Sequence, residues 1–393
     1  THGLKAPYTI STAESGKLKL NTIQPIQDAT NADTITLTAD FTTAQNVTVD
    51  ALQIWYRLND AVTWTKKECT NTNNKITLYI PGGTTKIECK QAPVDSAEDE
   101  VFPSNSKIQE FTIDRNIYVA NTQSNTAYKG GSSAHPVTLK NAKSLLTGKN
   151  EAWTIILTED ITASSSSDLC STSAFFSYSN SSSYPDFALT IKGTSDSDKK
   201  TINANADEDN KRRVIYASNF SLTLQYLNIT GGYIADDGGA IYYKSPNINN
   251  QSLTVKNCNL YSNTANNGGA IHTEETTSVD TCNLYSNHAV GSSGGAINST
   301  KALTISSSNF YSNDSKNYGG AISFSSAGTS LNITGSTIGK KDYKNQVTSS
   351  SGKGGAIYLK TGTNDNNPIS EIKNTIIGIE NLSEYSDSNF GNE

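Results

Sequence analysis

Tyr261, Tyr285 and Tyr311 stand in nearly identical surroundings, as the third residue of NLYSN, NLYSN and NFYSN, 24 and 26 residues apart. Aromatic rings at so regular an interval can form a platform for sugar rings or for a protein partner, if the fold brings them side by side. They can equally support one another as stacked neighbours on a β surface, and that structural role is the favoured one.

Acidic groups offer a different chemistry. Asp196 and Asp198, the run Asp207, Glu208 and Asp209, and the pair Asp236 and Asp237 have the side chains that hold cations or work as acid and base. Such work needs carboxylates converging from separate segments, so these acidic turns are read as solvated. The four histidines, His2, His135, His272 and His288, are scattered and read as solvated too. The five cysteines, Cys69, Cys89, Cys170, Cys258 and Cys282, lack a CxxC pair or a His/Cys cluster. That excludes a zinc site, and an odd count at wide spacings is no disulfide framework. Whether Cys69 and Cys89 pair with each other stays open. No EF-hand loop, HExxH, GxSxG or phosphate-binding loop occurs. No catalytic residue, metal ligand or cofactor is therefore assigned.

The tyrosines need a repeating element to position them. GGAI occurs five times, from Gly238, Gly268, Gly294, Gly319 and Gly354, at spacings of 30, 26, 25 and 35. The unit is about 25 residues long, with insertions in the first and last intervals. With Leu260, Leu284 and Phe310 as reference, Val255, Val279 and Ile305 stand five residues earlier, and Leu253, Thr277 and Leu303 seven earlier. Cys258, Cys282 and Ser308 stand two earlier. The same frame fits around Ile229, Ile338 and Ile377.

Positions −7 and −5 alternate as one strand does, and −2, 0 and +2 as the next; GGAI supplies a third. Three short strands with turns between them make one coil of a right-handed parallel β-helix. Each coil buries little alone, so the coils stabilise one another as stacked neighbours. The paired glycines, Gly238 and Gly239, Gly268 and Gly269, Gly294 and Gly295, Gly319 and Gly320, Gly354 and Gly355, allow a sharp turn and close approach. Ile241, Ile271, Ile297, Ile322 and Ile357 form an inward ladder. Asn263, Asn287 and Asn313 stack as an amide ladder at a turn. Cys258 and Cys282 are buried free thiols acting as small hydrophobes.

GGAI alternating with an (F/L)xxN motif resembles the repeats of chlamydial polymorphic outer-membrane proteins and of other bacterial surface proteins. The resemblance covers residues 213–393. It implies an exported protein of the cell surface, outer membrane or extracellular space that binds as an adhesin does. This chain departs from the family in two ways: it has no C-terminal membrane barrel, and Leu replaces the usual Phe except at Phe310.

Residues 114–212 read as the irregular start of the same solenoid. Ile117–Val119, Trp153–Leu157 and Leu189–Ile191 are strands, and the amphipathic Val137–Leu146 can cap the open core as a helix. Ser164–Ser183 reads as a long loop containing Cys170. Residues 1–113 differ. Alternating runs at Thr34–Phe41, Leu52–Leu58, Lys75–Ile80, Lys86–Lys90 and Ile108–Ile113 suggest an antiparallel sandwich, similar to immunoglobulin-like or fibronectin-III-like domains, with Trp55 and Tyr56 on a central strand and Trp64 close behind. The fold class is thus all-β, with domains at 1–113 and 114–393.

A net charge of −6 with one short basic run, Lys211 to Arg213, excludes nucleic-acid binding. No segment has the length of apolar residues that spans a membrane. The chain lacks Met even at position 1, so its natural start has been removed, by signal-peptide cleavage or by trimming. Ser388–Asn392 reads as the opening of a further coil.

Many right-handed β-helices are polysaccharide lyases or hydrolases, and the register tests that alternative. The residues after GGAI stack as Tyr242, His272, Asn298, Ser323 and Tyr358; two further on come Lys244, Glu274, Thr300, Ser325 and Lys360. One carboxylate makes no cluster on that face. The reading is therefore a non-catalytic surface binding protein with a host or microbial protein or glycan as partner. The alternatives are a carbohydrate-active enzyme and a structural stalk or surface-layer element.

Overall fold

The computed structural model describes residues 115–377, except 128, 327, 341 and 362–369, and before them residues 18–27, 34–43, 51–59, 61–70, 75–79, 86–92 and 109–112. From residue 115 onward the chain is a right-handed parallel β-helix. One coil shows the pattern. Ser252–Lys256 lies in sheet I, Asn259–Tyr261 in sheet II and Ile271–Thr273 in sheet III, before Thr276–Asp280 returns to sheet I. Among the described residues sheet I holds nine strands, sheet II eight and sheet III seven. A short fourth sheet, carrying Thr264–Ala265 and His288–Ala289, bridges II and III.

The pairing follows the motif register. Val255 stands over Val279 and Val279 over Ile305 in sheet I. Leu260, Leu284 and Phe310 align in sheet II, and Ile241, Ile271, Ile297, Ile322 and Ile357 in sheet III. All of these but Ile357 are fully buried in one continuous core. Each aliphatic side chain removed from water in this way is worth roughly 1.5–3 kcal/mol before ordering entropy is subtracted.

The two glycines of each GGAI do different work. The first turns the chain through the left-handed region, with φ of 59° at Gly268 and 67° at Gly294. In the first four copies the second lies so close to the next coil that a Cβ on Gly269, for example, would stand 2.3 Å from the Gly295 carbonyl oxygen. No side chain fits there without parting the coils. Gly355 has open space instead.

The start of the solenoid is closed by a helix, Leu139–Leu145, whose Leu139 and Ala142 are buried against the core. Thr138 caps it, its hydroxyl accepting from the Asn141 amide. The Arg115 guanidinium and the Glu151 carboxylate form a buried ion pair at 2.9 Å in the first coil.

One segment departs from its expected form. Within the Ser-rich stretch 164–183, Ala174–Ser179 is the first strand of sheet III rather than loop. Phe175 and Phe176 drive this, because both are buried and Phe176 pairs in register with Ile215.

Ahead of the solenoid lie two antiparallel sheets. One orders the chain's first, second and fifth strands, Leu18–Gln27, Thr34–Thr43 and Lys75–Tyr79. The other places the fourth, Thr65–Thr70, beside the third, Ala51–Leu58, then the sixth, Lys86–Ala92, and the seventh, Gln109–Thr112. Trp55 and Tyr56 do fall on a strand paired on both sides. Cys89 is a buried free thiol, which removes the pairing with Cys69. Burial and the adjacent Glu88 carboxylate push that thiol up to about 12. Ser388–Asn392 lies outside the described residues.

Candidate binding site

Each residue of NLYSN builds its own ladder along sheet II. The leading asparagines lie outside, and their side-chain amides bond coil to coil: Asn283 Nδ2 donates to Asn259 Oδ1 at 2.8 Å and Asn309 Nδ2 to Asn283 Oδ1 at 2.9 Å. The next residue enters the core. The tyrosine points out again, by the alternation of a strand. The serine turns the corner with positive φ at Ser262, Ser286 and Ser312. The closing asparagine folds back inside.

That last ladder is the one expected of Asn263, Asn287 and Asn313, and it is fully buried. Asn287 Nδ2 donates to the Leu260 carbonyl and to Asn313 Oδ1, both at 3.0 Å. Its own Oδ1 accepts from the Asn263 backbone amide and side chain. The series gains a fourth member, Asn345, whose Oδ1 accepts from Asn313 Nδ2 at 2.9 Å. A parallel series runs at the sheet I–II corner. The Cys258 amide donates to Cys282 Sγ, the Cys282 amide to Ser308 Oγ, and the Ser308 amide to Ser336 Oγ. The two thiols are buried and unpaired; Cys258 Sγ donates to the Lys256 carbonyl and Cys282 Sγ to the Asp280 carbonyl, each at 3.2 Å.

The tyrosines are brought together. Tyr261 and Tyr285 lie with ring centroids 5.0 Å apart and planes 5° apart; Tyr285 and Tyr311 repeat this at 5.0 Å and 3°. All three are half-buried. Burial raises the Tyr285 phenol pKa, and its two neighbours raise it further. Rings so nearly parallel at this distance cover much of each other's faces. The stack therefore presents ring edges and hydroxyls to solvent. A sugar ring that stacks needs an open face, because its C–H bonds meet the negative π cloud there. The middle of this ladder has little to offer it.

The stack changes at its C-terminal end. The insertion that lengthens the last GGAI interval brings Lys340 over the Tyr311 ring at 4.6 Å and sets Tyr343 edge-on to it at 6.3 Å and 72°. Tyr343 is 57% exposed. Backbone bonds hold the turn in both directions: the Tyr343 amide donates to the Lys340 carbonyl, and the Ser312 amide donates to the Tyr343 carbonyl. Beside it opens a cleft of about 330 Å³, lined by Ser312, Asn313, Asp342, Tyr343, Lys344 and Gln346. The sequence reading missed this cleft. Its one signal was the length of that last interval.

A second cluster stands on the outer face of sheet III. Tyr216, Tyr242 and His272 stack at 5.7 and 5.1 Å. Arg213 lies over Tyr242 at 5.1 Å and donates from Nη2 to Asp236 at 2.9 Å. His272 is 7% exposed, so it is not the solvated residue expected. Its Nδ1 lies 3.6 Å from Asp237 and its Nε2 3.9 Å from Glu274. Burial lowers its pKa, against the pull of these carboxylates. Tyr242 donates to Glu274 at 2.5 Å, and Asn267 donates to Asp237 at 2.8 Å. Every carboxylate here thus has a partner inside the cluster.

The remaining acidic turns pair locally. Asp207 accepts from Asn210 and from the Asp209 amide within its own turn, while Asp196 and Asp198 pair with Lys199 and Lys200. Among the described residues no group of three potential metal ligands converges. No described helix is long and apolar enough to cross a membrane. Comparison with protein-family models, with characterised proteins and with solved structures returns no match.

Proposed function

We propose that the chain is an exported bacterial surface protein of adhesin type, which binds a host or microbial glycan or protein through the tyrosine-bearing side of its solenoid. The observation that carries this reading is the row Tyr261, Tyr285, Tyr311 and Tyr343, half-buried to exposed and ending at a polar cleft. Aromatic groups beside hydrogen-bonding side chains are what recognition sites use. The GGAI and (F/L)xxN repeats, with their resemblance to chlamydial polymorphic outer-membrane proteins, support export and surface display.

The N-terminal sheets serve this role as a spacer or second binding module. Their fourth strand lies beside the third rather than the fifth. That differs from a constant-type immunoglobulin order and suits a fibronectin-III-like sandwich.

A carbohydrate-active enzyme is the second reading, favoured by the His272 ring with Asp237 at 3.6 Å and Glu274 at 3.9 Å. One experiment separates the two: purified protein on a glycan array, with polysaccharides in the same samples assayed for cleavage. Retention without cleavage supports the adhesin. Cleavage that His272→Gln abolishes establishes the enzyme. Neither binding nor cleavage leaves a protein partner or a structural stalk.

A further inference from the structure

We infer that the glycan contact is the cleft at the end of the tyrosine ladder, where one sugar ring lies against Tyr343, and that the ladder itself is its support. This rests on the proposed glycan-binding role and narrows it to a place. Three observations carry it. Tyr285 has its faces against Tyr261 and Tyr311, and Tyr311 has Lys340 over its ring and Tyr343 beside it. Tyr343, by contrast, is 57% exposed, which makes it the most open ring of the row.

The cleft beside Tyr343 is polar. Asp342 and Gln346 offer acceptors for sugar hydroxyls; Gln346, Lys344 and Ser312 offer donors. About 330 Å³ is at the small end of ligand sites, so it suits a single ring of a glycan rather than a length of chain.

The site is also built rather than draped. Asn345, between Lys344 and Gln346, is locked into the buried amide ladder, donating to the Phe310 carbonyl at 2.9 Å. The Gln346 amide donates to the Asn313 carbonyl at 2.9 Å. The insertion thus hangs its ligand-facing side chains on the buried, hydrogen-bonded amide ladder, which is the arrangement that preorganises a site.

The test compares Tyr343→Ala, Gln346→Ala and Tyr285→Ala with the unaltered chain on printed glycans, each checked by its thermal unfolding. The inference expects Tyr343→Ala and Gln346→Ala to lose about tenfold or more in apparent affinity at unchanged unfolding temperature. Tyr285→Ala is expected to retain affinity within about twofold while unfolding earlier. If Tyr285→Ala abolishes binding and Tyr343→Ala does not, the ladder is the contact and the inference is wrong, though glycan binding stands. If the unaltered chain retains no printed glycan, both fail together.

Discussion

On sheet II, Tyr261, Tyr285 and Tyr311 repeat one residue in one geometry, and the same bond pattern climbs from coil to coil. On sheet III, Tyr216, Tyr242 and His272 stack at similar spacing, but each member brings different chemistry, and Arg213, Asp236, Asp237 and Glu274 close around them. The difference lies in where the neighbours come from. A motif repeated at one coil length puts like on like, so the ladder adds no charge and leaves its outer edge to solvent. A stack of unlike residues must be neutralised locally, and the Asp236–Asp237 turn supplies the carboxylates. The uniform stack ends in an open polar cleft, whereas the mixed one uses up its polar groups on itself.

Substitutions should separate the two regions. The largest effect belongs to the buried amides under the tyrosines: Asn287→Ala strands the Leu260 carbonyl and the Asn263 amide and should cost about 3 kcal/mol or more, read by denaturant unfolding. In the mixed cluster, Arg213→Met removes the cation from Tyr216 and Tyr242 and the partner of Asp236. Because Asp236 is itself mostly solvated, a loss of about 2 kcal/mol is expected in the same assay. Tyr285→Ala should cost only about 1 kcal/mol, the value of a cross-strand aromatic contact. A cost equal to that of Asn287→Ala would mean the ladder carries more of the fold than its half-burial suggests.

The smallest effects concern protons, and here the two sides should move in opposite directions. His272 has a pKa below its ordinary 6.5 because burial disfavours its cation. Its contribution to stability is complete above that value and is lost as pH falls toward the folded pKa. His288, beside sheet II, has a raised pKa because it hydrogen-bonds the Asp314 carboxylate. Its contribution is complete below 6.5 and is lost as pH rises through the folded pKa. Across about pH 5 to 8, His272→Gln should therefore improve relative stability at the acid end, and His288→Gln should worsen it. Two variants shifting the profile in the same direction would show that these pairings are wrongly assigned.

Much of this could be read from spacing alone. The −7, −5 and 0 positions, the Ile ladder and the stacking of Asn263, Asn287 and Asn313 follow from one register, because parallel coils place equivalent residues over one another. The capping helix at Leu139–Leu145 was legible from its amphipathic pattern. What escaped were residues outside the frame. Asn345 and Tyr343 sit in an insertion with no NxYSN copy to align them, although one completes the amide ladder and the other opens the cleft. His272 was placed on the outer face of its strand by the register, and so it is. Its burial comes from Tyr242 one coil below and from the Asp236–Asp237 turn, a crowding that strand periodicity does not encode. The run Ala174–Ser179 was hidden by its serine-rich surroundings, although Phe175 and Phe176 carried the signal.

The central claim is that each coil is an interchangeable unit defined by the motif register. Deleting residues 260–283 tests it most directly, because it removes one whole coil, 24 residues, and joins Asn259 to Leu284 with NLYSN intact. That chain should unfold cooperatively, with circular dichroism of the same β type and a modestly lower midpoint. Deleting 260–271 removes only part of a coil, LYSN and GGAI with it, joins Asn259 of sheet II directly to His272 of sheet III and should abolish the cooperative transition. Two deletions with the same outcome, both folded or both collapsed, would contradict the register on which the whole account stands.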